Sequence, residues 1–337
     1  MGRPKKILND ERDVVDEALD GMVLASDGRL IRPSGLNALL RADIPSSKVA
    51  LLIGGGSGHE PMFTCFVGEN LADGSVAGQV FAAPSPDVIL AATKAIHRGR
   101  GVLYVYGNYA GDIMNFNIAA ELAAEDGIEA RTVRVWDDVA SAPPDRVEER
   151  RGIAGDFYVV KIAGGAAAQC GSLDEVCRIA AKARDNTRSM GVAISAGSIP
   201  ETGARTFELG EDEIEIGMGA HGEPGVSRQK LATADSVADQ MMAAILDDLP
   251  FRAGDEVALL INNLGATTMM ELLIVNRRVR RILADAGVRA YCTDIGRFLT
   301  CQEMAGFSIS LLRLDDELKH YLDLPIRVLG YSRVQGD

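Results

Sequence analysis

The stretch Gly101-Val102-Leu103-Tyr104-Val105-Tyr106, followed by Gly107-Asn108-Tyr109-Ala110-Gly111-Asp112, decides the fold. A short apolar run bounded by glycine reads as a strand buried on both faces. The polar, glycine-rich turn after it opens a helix that runs through Ala124, and Glu129 to Val135 reads as the next strand. Strand, loop, helix, strand in that order needs a crossover, so these strands are parallel and a helix covers their sheet.

Toward the N-terminus the same rhythm holds. Val49 to Ile53 is a buried strand that enters Gly54-Gly55-Gly56-Ser57-Gly58-His59-Glu60-Pro61. Ser85 and Pro86 are a helix start for Val88 to Ile96. Asp13 to Ala25 is an amphipathic helix with Val15, Ala18, Leu19 and Met22 on its apolar side. Toward the C-terminus, Ile153 to Ala168 reads as a helix weakened by Gly164-Gly165. Ser172 to Ala183 reads as a second one, with Ser172 and Glu175 spaced as a capping box. The chain turns polar over Asp185 to Ser189, which sets a boundary between two domains, 1–185 and 186–337. Beyond it come strands at Met190–Ile194, Val257–Ile261, Val288–Cys292 and Ser308–Leu312, with helices over Ala232–Leu246 and Thr268–Leu283. The predicted class is α/β, with two α/β domains: parallel βαβ units in the first and a mixed sheet in the second.

Composition narrows the function. A formal charge of -13 argues against nucleic acid and anionic membranes as partners. Five cysteines, with no CxxC pair, argue against a disulfide scaffold and a zinc knuckle. No apolar stretch approaches the roughly 20 residues of a membrane span. The basic start, Met1 to Lys6, runs into Asp10-Glu11 rather than an apolar core, so it is not a secretory signal and a cytoplasmic location is expected.

Chemistry concentrates in three segments. In the first, Gly56, Ser57 and Gly58 could offer backbone N–H groups to a polar ligand while His59 hydrogen-bonds to it; the plainer reading is a tight turn. A P-loop would need GxxxxGK[ST], and a dinucleotide fingerprint would need glycine at His59, so neither nucleotide motif is satisfied. The same failure weakens the reading of an NAD-linked sugar enzyme. In the second segment, Asp112 sits at the carboxyl end of a parallel strand, where α/β sheets gather ligands; it could equally be a helix N-cap. In the third, Gly217-Met218-Gly219-Ala220-His221-Gly222-Glu223-Pro224-Gly225, glycines leave His221 with little packing of its own. A neutral imidazole nitrogen can attack a carbonyl, and the plainer reading is a turn histidine in water. His97 and His320 fall on polar helical stretches and read as surface residues. The acidic stretch Glu208 to Glu215 reads as a solvated loop and strand edge, without EF-hand spacing.

Together these segments resemble the dihydroxyacetone kinase family, specifically its substrate-binding subunit. The resemblance covers nearly the whole chain. It is carried by Lys5 to Asp10 with Val14 to Glu17, by the GGGSGHEP and NYxGDxxNF runs, by EIGMGAHGEPG at Glu215 to Gly225, and by Met304 to Ser308 with Leu311-Leu312, all in the same order. It implies that His221 binds a substrate carbonyl as a hemiaminal through Nε2. Asp112 would accept the proton of the attacking terminal hydroxyl, His59 would hydrogen-bond the substrate and assist, and Gly56, Ser57 and Gly58 would contact it. It also implies that this chain carries no cofactor. ATP or ADP with magnesium would sit on a separate nucleotide-binding subunit, with the phosphate coming from ATP or from a phosphotransferase-system protein, and the chain would be a homodimer. Some relatives are instead co-activators that sense dihydroxyacetone and dock to a transcription regulator. Such a sensor could lose the acid–base pair, and here both His59 and Asp112 are present. Two departures bear on the substrate. Gly107 stands where the family commonly has a substrate-contacting lysine, which leaves dihydroxyacetone, a four-carbon ketose such as erythrulose, and a branched or acidic keto-sugar all open. Gly296 to Glu303 departs from the family's GNYMTSLE, and Arg297 could add a charge.

Overall fold

The computed structural model describes residues 5–334, so Met1 to Pro4 of the basic start lie outside the described residues. After helix α1 (Val14–Ala25) the chain builds a six-stranded sheet from β1 (Leu30–Ile31), β2 (Ala38–Arg41), β3 (Ala50–Ser57), β4 (Gly74–Val80), β5 (Val102–Gly107) and β6 (Ala130–Val135). Their order is β1-β2-β4-β3-β5-β6. The pairs among β4, β3, β5 and β6 are parallel, and β1 and β2 add an antiparallel edge. Helices α2 (Pro86–Ile96) and α3 (Ala110–Glu125) pack on one face, and α4 (Asp156–Gln169) and α5 (Leu173–Asp185) on the other. The strands read as continuous apolar runs because both faces are covered. Along β5, Leu103 and Val105 face α4 and α5, while Val102, Tyr104 and Tyr106 face α2 and α3.

The second sheet has β7 (Thr187–Ser195), β8 (Glu213–Ile216), β9 (Ser227–Lys230), β10 (Glu256–Asn263), β11 (Arg289–Gly296) and β12 (Ala305–Leu314), in the order β11-β10-β12-β7-β8-β9. Only β10 and β11 pair in parallel, so the sheet is mixed. Helices α6 (Ala234–Asp248) and α7 (Met269–Asp285) cover its outer face. Its inner face, through Ala258, Leu260, Leu312 and Leu314, joins the same apolar cluster as α4 and α5. The two sheets therefore sandwich α4 and α5. That explains why α4 is buried along nearly its whole length and why glycine interrupts it: a Cβ on Gly164 would lie 2.4 Å from the Leu71 Cα. The Ser172 hydroxyl accepts from the Glu175 N–H as a cap, but the Glu175 carboxylate turns to Arg178. A full capping box forms instead at Thr268 and Glu271, opening α7.

Candidate active site between the two sheets

β3 is flanked by β4 on one side and β5 on the other. The chain leaves β3 toward β4 and leaves β5 toward β6, so the connections diverge and a crevice opens at the carboxyl ends of β3 and β5. His59 follows the first of these strands and Asp112 follows the second. The crevice is roofed by segments of the second half. Residues 58–62 pair with 298–302: the Thr300 N–H donates to the His59 carbonyl at 3.0 Å and the Gln302 N–H to the Gly58 carbonyl at 3.0 Å. His221, on the β8–β9 loop, completes the wall.

A cavity of about 30 Å³ lies between them, lined by Gly54, Gly55, Gly56, His59, Gly107, Tyr109, Asp112, Asp156 and His221 among others. A water needs about 10–15 Å³ on this scale, so the space suits a molecule of a few heavy atoms and is far too small for a nucleotide. A larger cavity, of about 590 Å³, lies elsewhere, lined by residues such as Arg29, Arg41 and Arg333, and shares no residue with this one.

The glycines are there for room. A Cβ on Gly54 would lie 2.4 Å from the Val76 side chain, and one on Gly55 2.4 Å from the Phe63 ring. β3 itself runs on to Ser57, so most of the expected loop is strand. Gly58 does need its freedom, with φ at +98°. Its N–H points to the Glu60 carboxylate at 3.0 Å, and the Ser57 hydroxyl donates to the Gly78 carbonyl at 2.7 Å. Of the three expected contact residues, only Gly56 lines the cavity. Arg297 is exposed, and Leu299 rather than Arg297 lines the cavity.

His59 and His221 meet, with Nε2 to Nε2 at 2.9 Å. His59 Nδ1 lies 2.6 Å from the Thr300 carbonyl. A carbonyl only accepts, so Nδ1 carries a hydrogen and Nε2 of a neutral His59 is an acceptor. Burial, reinforced by the charge of His221, pushes His59 down to about 3, which keeps it neutral. His221 must then donate through Nε2. Its Nδ1 lies 2.9 Å from the Glu223 carboxylate. Burial alone would raise Glu223, but the hydrogen bond and charge of His221 outweigh it and hold the carboxyl at about 2. A continuous chain results: Thr300 carbonyl, His59, His221, Glu223. The rings of Tyr109 and Phe81 meet His221 edge-on at 4.8 and 5.6 Å between centroids.

Asp112 is not a cap. Tyr109 holds the N-cap position of α3, and Asp112 lies three residues further on, buried. Its Oδ1 has no hydrogen-bond partner. Burial, partly offset by His221, raises its carboxyl to about 7.

Glu223, Thr300, Tyr109, Arg151 and Asp156 are parts of the site that motif reading leaves without roles. Glu223 was visible as an acid two residues after His221. Gly219 makes its contact possible, since a Cβ there would lie 2.3 Å from the Glu223 carboxylate. Arg151 reaches across from the first half to the Gly217 carbonyl at 2.9 Å and pairs with buried Asp138. Glu215, expected to be solvated, is buried and accepts from the Gly225 N–H at 2.6 Å, which ties the two ends of the loop. His97 caps the end of α2, partly buried, and His320 is on the surface against Gln169. Among the described residues no helix is long and apolar enough to cross a membrane.

Residues 20–330 match the Dak1 domain family. The chain is 45% identical over 324 residues to the PTS-dependent dihydroxyacetone kinase 2, dihydroxyacetone-binding subunit DhaK, of Listeria innocua, covering 95% of this chain and 97% of that one. It is 37% identical over 331 residues to the L-erythrulose 1-kinase of Mycolicibacterium smegmatis, covering 97% of this chain but 58% of that longer relative. Among solved structures, the dihydroxyacetone kinase from C. freundii in complex with AMP-PNP and Mg²⁺ superimposes with a TM-score of 0.88 at 34% identity, over 96% of this chain and 60% of that one. The dihydroxyacetone kinase operon co-activator Dha-DhaQ superimposes with a TM-score of 0.87 at 29% identity, over 94% and 97%. Fold, motif order and these likenesses agree, and the chain belongs to the dihydroxyacetone kinase family through its Dak1 domain.

Proposed function

We propose that this chain is the substrate-binding subunit of a short-chain ketose kinase. It would hold the ketose on His221 while phosphate passes to a terminal hydroxyl from a nucleotide on a partner subunit. The observation that supports this most directly is the 2.9 Å contact between the two Nε2 atoms in a cavity that also holds the unpartnered Asp112 Oδ1.

The chemistry balances on residues of this chain. As His221 Nε2 bonds to the carbonyl carbon, the carbonyl oxygen needs one proton. The hydrogen held between the two Nε2 atoms is that proton, and His59 Nε2, an acceptor, can relay it. His221 keeps its Nδ1 hydrogen on Glu223, whose negative charge offsets the substituted imidazolium. The tether then fixes the free end of the sugar and removes its orientational freedom. Asp112, near neutrality in this burial, takes the proton of the terminal hydroxyl as it attacks phosphorus. A polyol such as glycerol has no C=O and cannot form the adduct, so the site selects ketoses over alcohols of similar shape.

On this reading residues 1–185 supply the acid–base wall and residues 186–337 the covalent one. The working unit is a cytoplasmic homodimer that turns over only with its nucleotide-binding partner. The likeness to a co-activator supports a second reading, a ketose sensor without catalysis; the retained His59 and Asp112 favour the kinase. Crystals soaked in dihydroxyacetone or erythrulose test the tether, which predicts density running unbroken from the His221 ring into the sugar. A coupled assay with a nucleotide-binding partner separates kinase from sensor: adduct without turnover on any ketose would leave the sensor.

A further inference from the structure

A second carboxyl group shares this cavity. Asp156 opens α4, is 1% exposed and lines the pocket beside Gly107 and Gly152. An acid in the first turn of a helix ordinarily faces water and complements the helix dipole. This one is sealed from bulk solvent, and its Oδ1 has no hydrogen-bond partner. Buried polar atoms in native proteins are rarely left that way, because the lost solvation is not recovered.

The wall around it is cut to expose it. A Cβ on Gly107 would lie 3.2 Å from Asp156 Oδ2 and 3.3 Å from the Tyr109 ring. A Cβ on Gly152 would lie 2.9 Å from Oδ1 and 2.6 Å from the Gly107 Cα. Neither glycine has a positive φ, so both serve space rather than backbone conformation. Side chains at these positions would crowd the carboxyl; two glycines leave it open to the cavity.

We propose that Asp156 is a specificity-determining residue, and that its carboxyl hydrogen-bonds the additional hydroxyl of a four-carbon ketose whose carbonyl carbon is held by His221. The proposal rests on the ketose-binding function inferred above and narrows it from short ketoses to tetruloses. Charge supports the geometry. Burial, with the repulsion of Asp137 and Asp112, pushes Asp156 well above the usual carboxylate range. Two carboxyls in one buried cavity repel as anions, which favours one of them keeping its proton. Asp112 takes the charge its task requires, and Asp156 keeps its proton. A protonated carboxyl both donates and accepts, which matches a hydroxyl that does the same. Dihydroxyacetone carries its second hydroxyl on the carbon next to the carbonyl, whereas a tetrulose carries one a carbon further out, which on this proposal is the hydroxyl that meets Asp156 at the Gly107–Gly152 wall.

The test needs no variant at first. Crystals of the wild-type chain are soaked in erythrulose and, separately, in dihydroxyacetone. The expected result is erythrulose attached to His221 with its fourth-carbon hydroxyl within hydrogen-bonding distance of Asp156. Erythrulose attached to His221 with that hydroxyl turned elsewhere overturns this inference alone. Neither sugar attached to His221 overturns the ketose-binding reading and this one with it. Calorimetric titration of the chain then gives the ratio of affinities for the two sugars. Asp156→Ala lowers the preference for erythrulose by about tenfold or more. Asp156→Asn, which still donates and accepts, keeps it within about threefold. An unchanged ratio in Asp156→Ala removes the assignment.

Discussion

The two walls of the cavity are built by different means. His59 is held by backbone: the 58–62 segment and the 298–302 segment exchange main-chain hydrogen bonds, and its ring leans on a main-chain carbonyl. Asp112 is fixed by its place in the first turn of α3. The His221 loop has main-chain bonds of its own, and charged side chains tie it on top of them. Arg151 grips the Gly217 carbonyl, Glu215 ties Gly225, and Glu223 holds both the N–H and the ring of His221. The groups proposed to keep their position through turnover sit on rigid main chain. The group proposed to make and break a bond sits where its charge partners can follow a change in its own charge.

Replacing the bond-forming side breaks this comparison most severely. His221→Ala should abolish retention of ketose and reduce turnover by more than about a thousandfold, since tethering supplies much of the orientation. Intact-protein crystallography and the coupled assay both read this; near-normal turnover would mean that the loop only shapes the cavity. On the opposite wall, Asp112→Asn should leave sugar bound to His221 and lower turnover by about 10²- to 10⁴-fold, the usual contribution of a positioned base. Asp112 titrates at about 7, so wild-type turnover should rise as pH passes upward through that value, and this limb should vanish in the variant. Next comes Glu223→Gln, expected to cost about one to two orders of magnitude. An amide can present its NH₂ to Nδ1, which strips that nitrogen of its hydrogen and leaves the substituted imidazolium without a charge partner. Solution NMR of the His221 ring nitrogens should show the loss of the Nδ1 hydrogen; an unchanged ring would make Glu223 a loop tie and nothing more.

How much of this was legible follows from where each signal resides. The parallel strands were readable because burial on both faces leaves long apolar runs, as in Val102 to Tyr106. β4 was not: Gly74 to Val80 carries two glycines and no apolar run, yet lies buried between β2 and β3. β8 alternates acidic and apolar residues over only four positions, and β9 is a polar edge strand, so neither shows an apolar run. At the site, the strand-end rule singled out Asp112, and glycine flanks singled out both histidines. Thr300 stayed hidden because it acts through a main-chain carbonyl, which any residue would supply, from 241 positions away. Asp156 was masked by its own plausibility, since an acid at a helix start is ordinary. Only the packing of α4 between two sheets makes it unusual.

Stability gives the smallest and sharpest contrast between the walls. An aspartate ionises near 3.9 in an unfolded chain, and Asp112 does so at about 7 in the fold. Between those values the native state holds a proton that the unfolded state has released. Stability from this group therefore falls as pH rises from about 4 to 7 and is flat above. Asp112→Asn abolishes that loss, because an amide has no charge to bury. At pH 8 the variant should be more stable than wild type by on the order of 1–2 kcal/mol, and at pH 4 the difference should close. The loop side should show the reverse. Arg151→Met strips the partner from buried Asp138 and should destabilise by about 3 kcal/mol at neutral pH. Urea titrations of both variants at the two pH values decide the matter. A stabilised Asp112→Asn beside a destabilised Arg151→Met would mean that the acid–base wall is strained for function while the loop's charges serve the fold. Equal losses in both would mean that Asp112 is bonded in the free protein and that its carboxyl is no poised base.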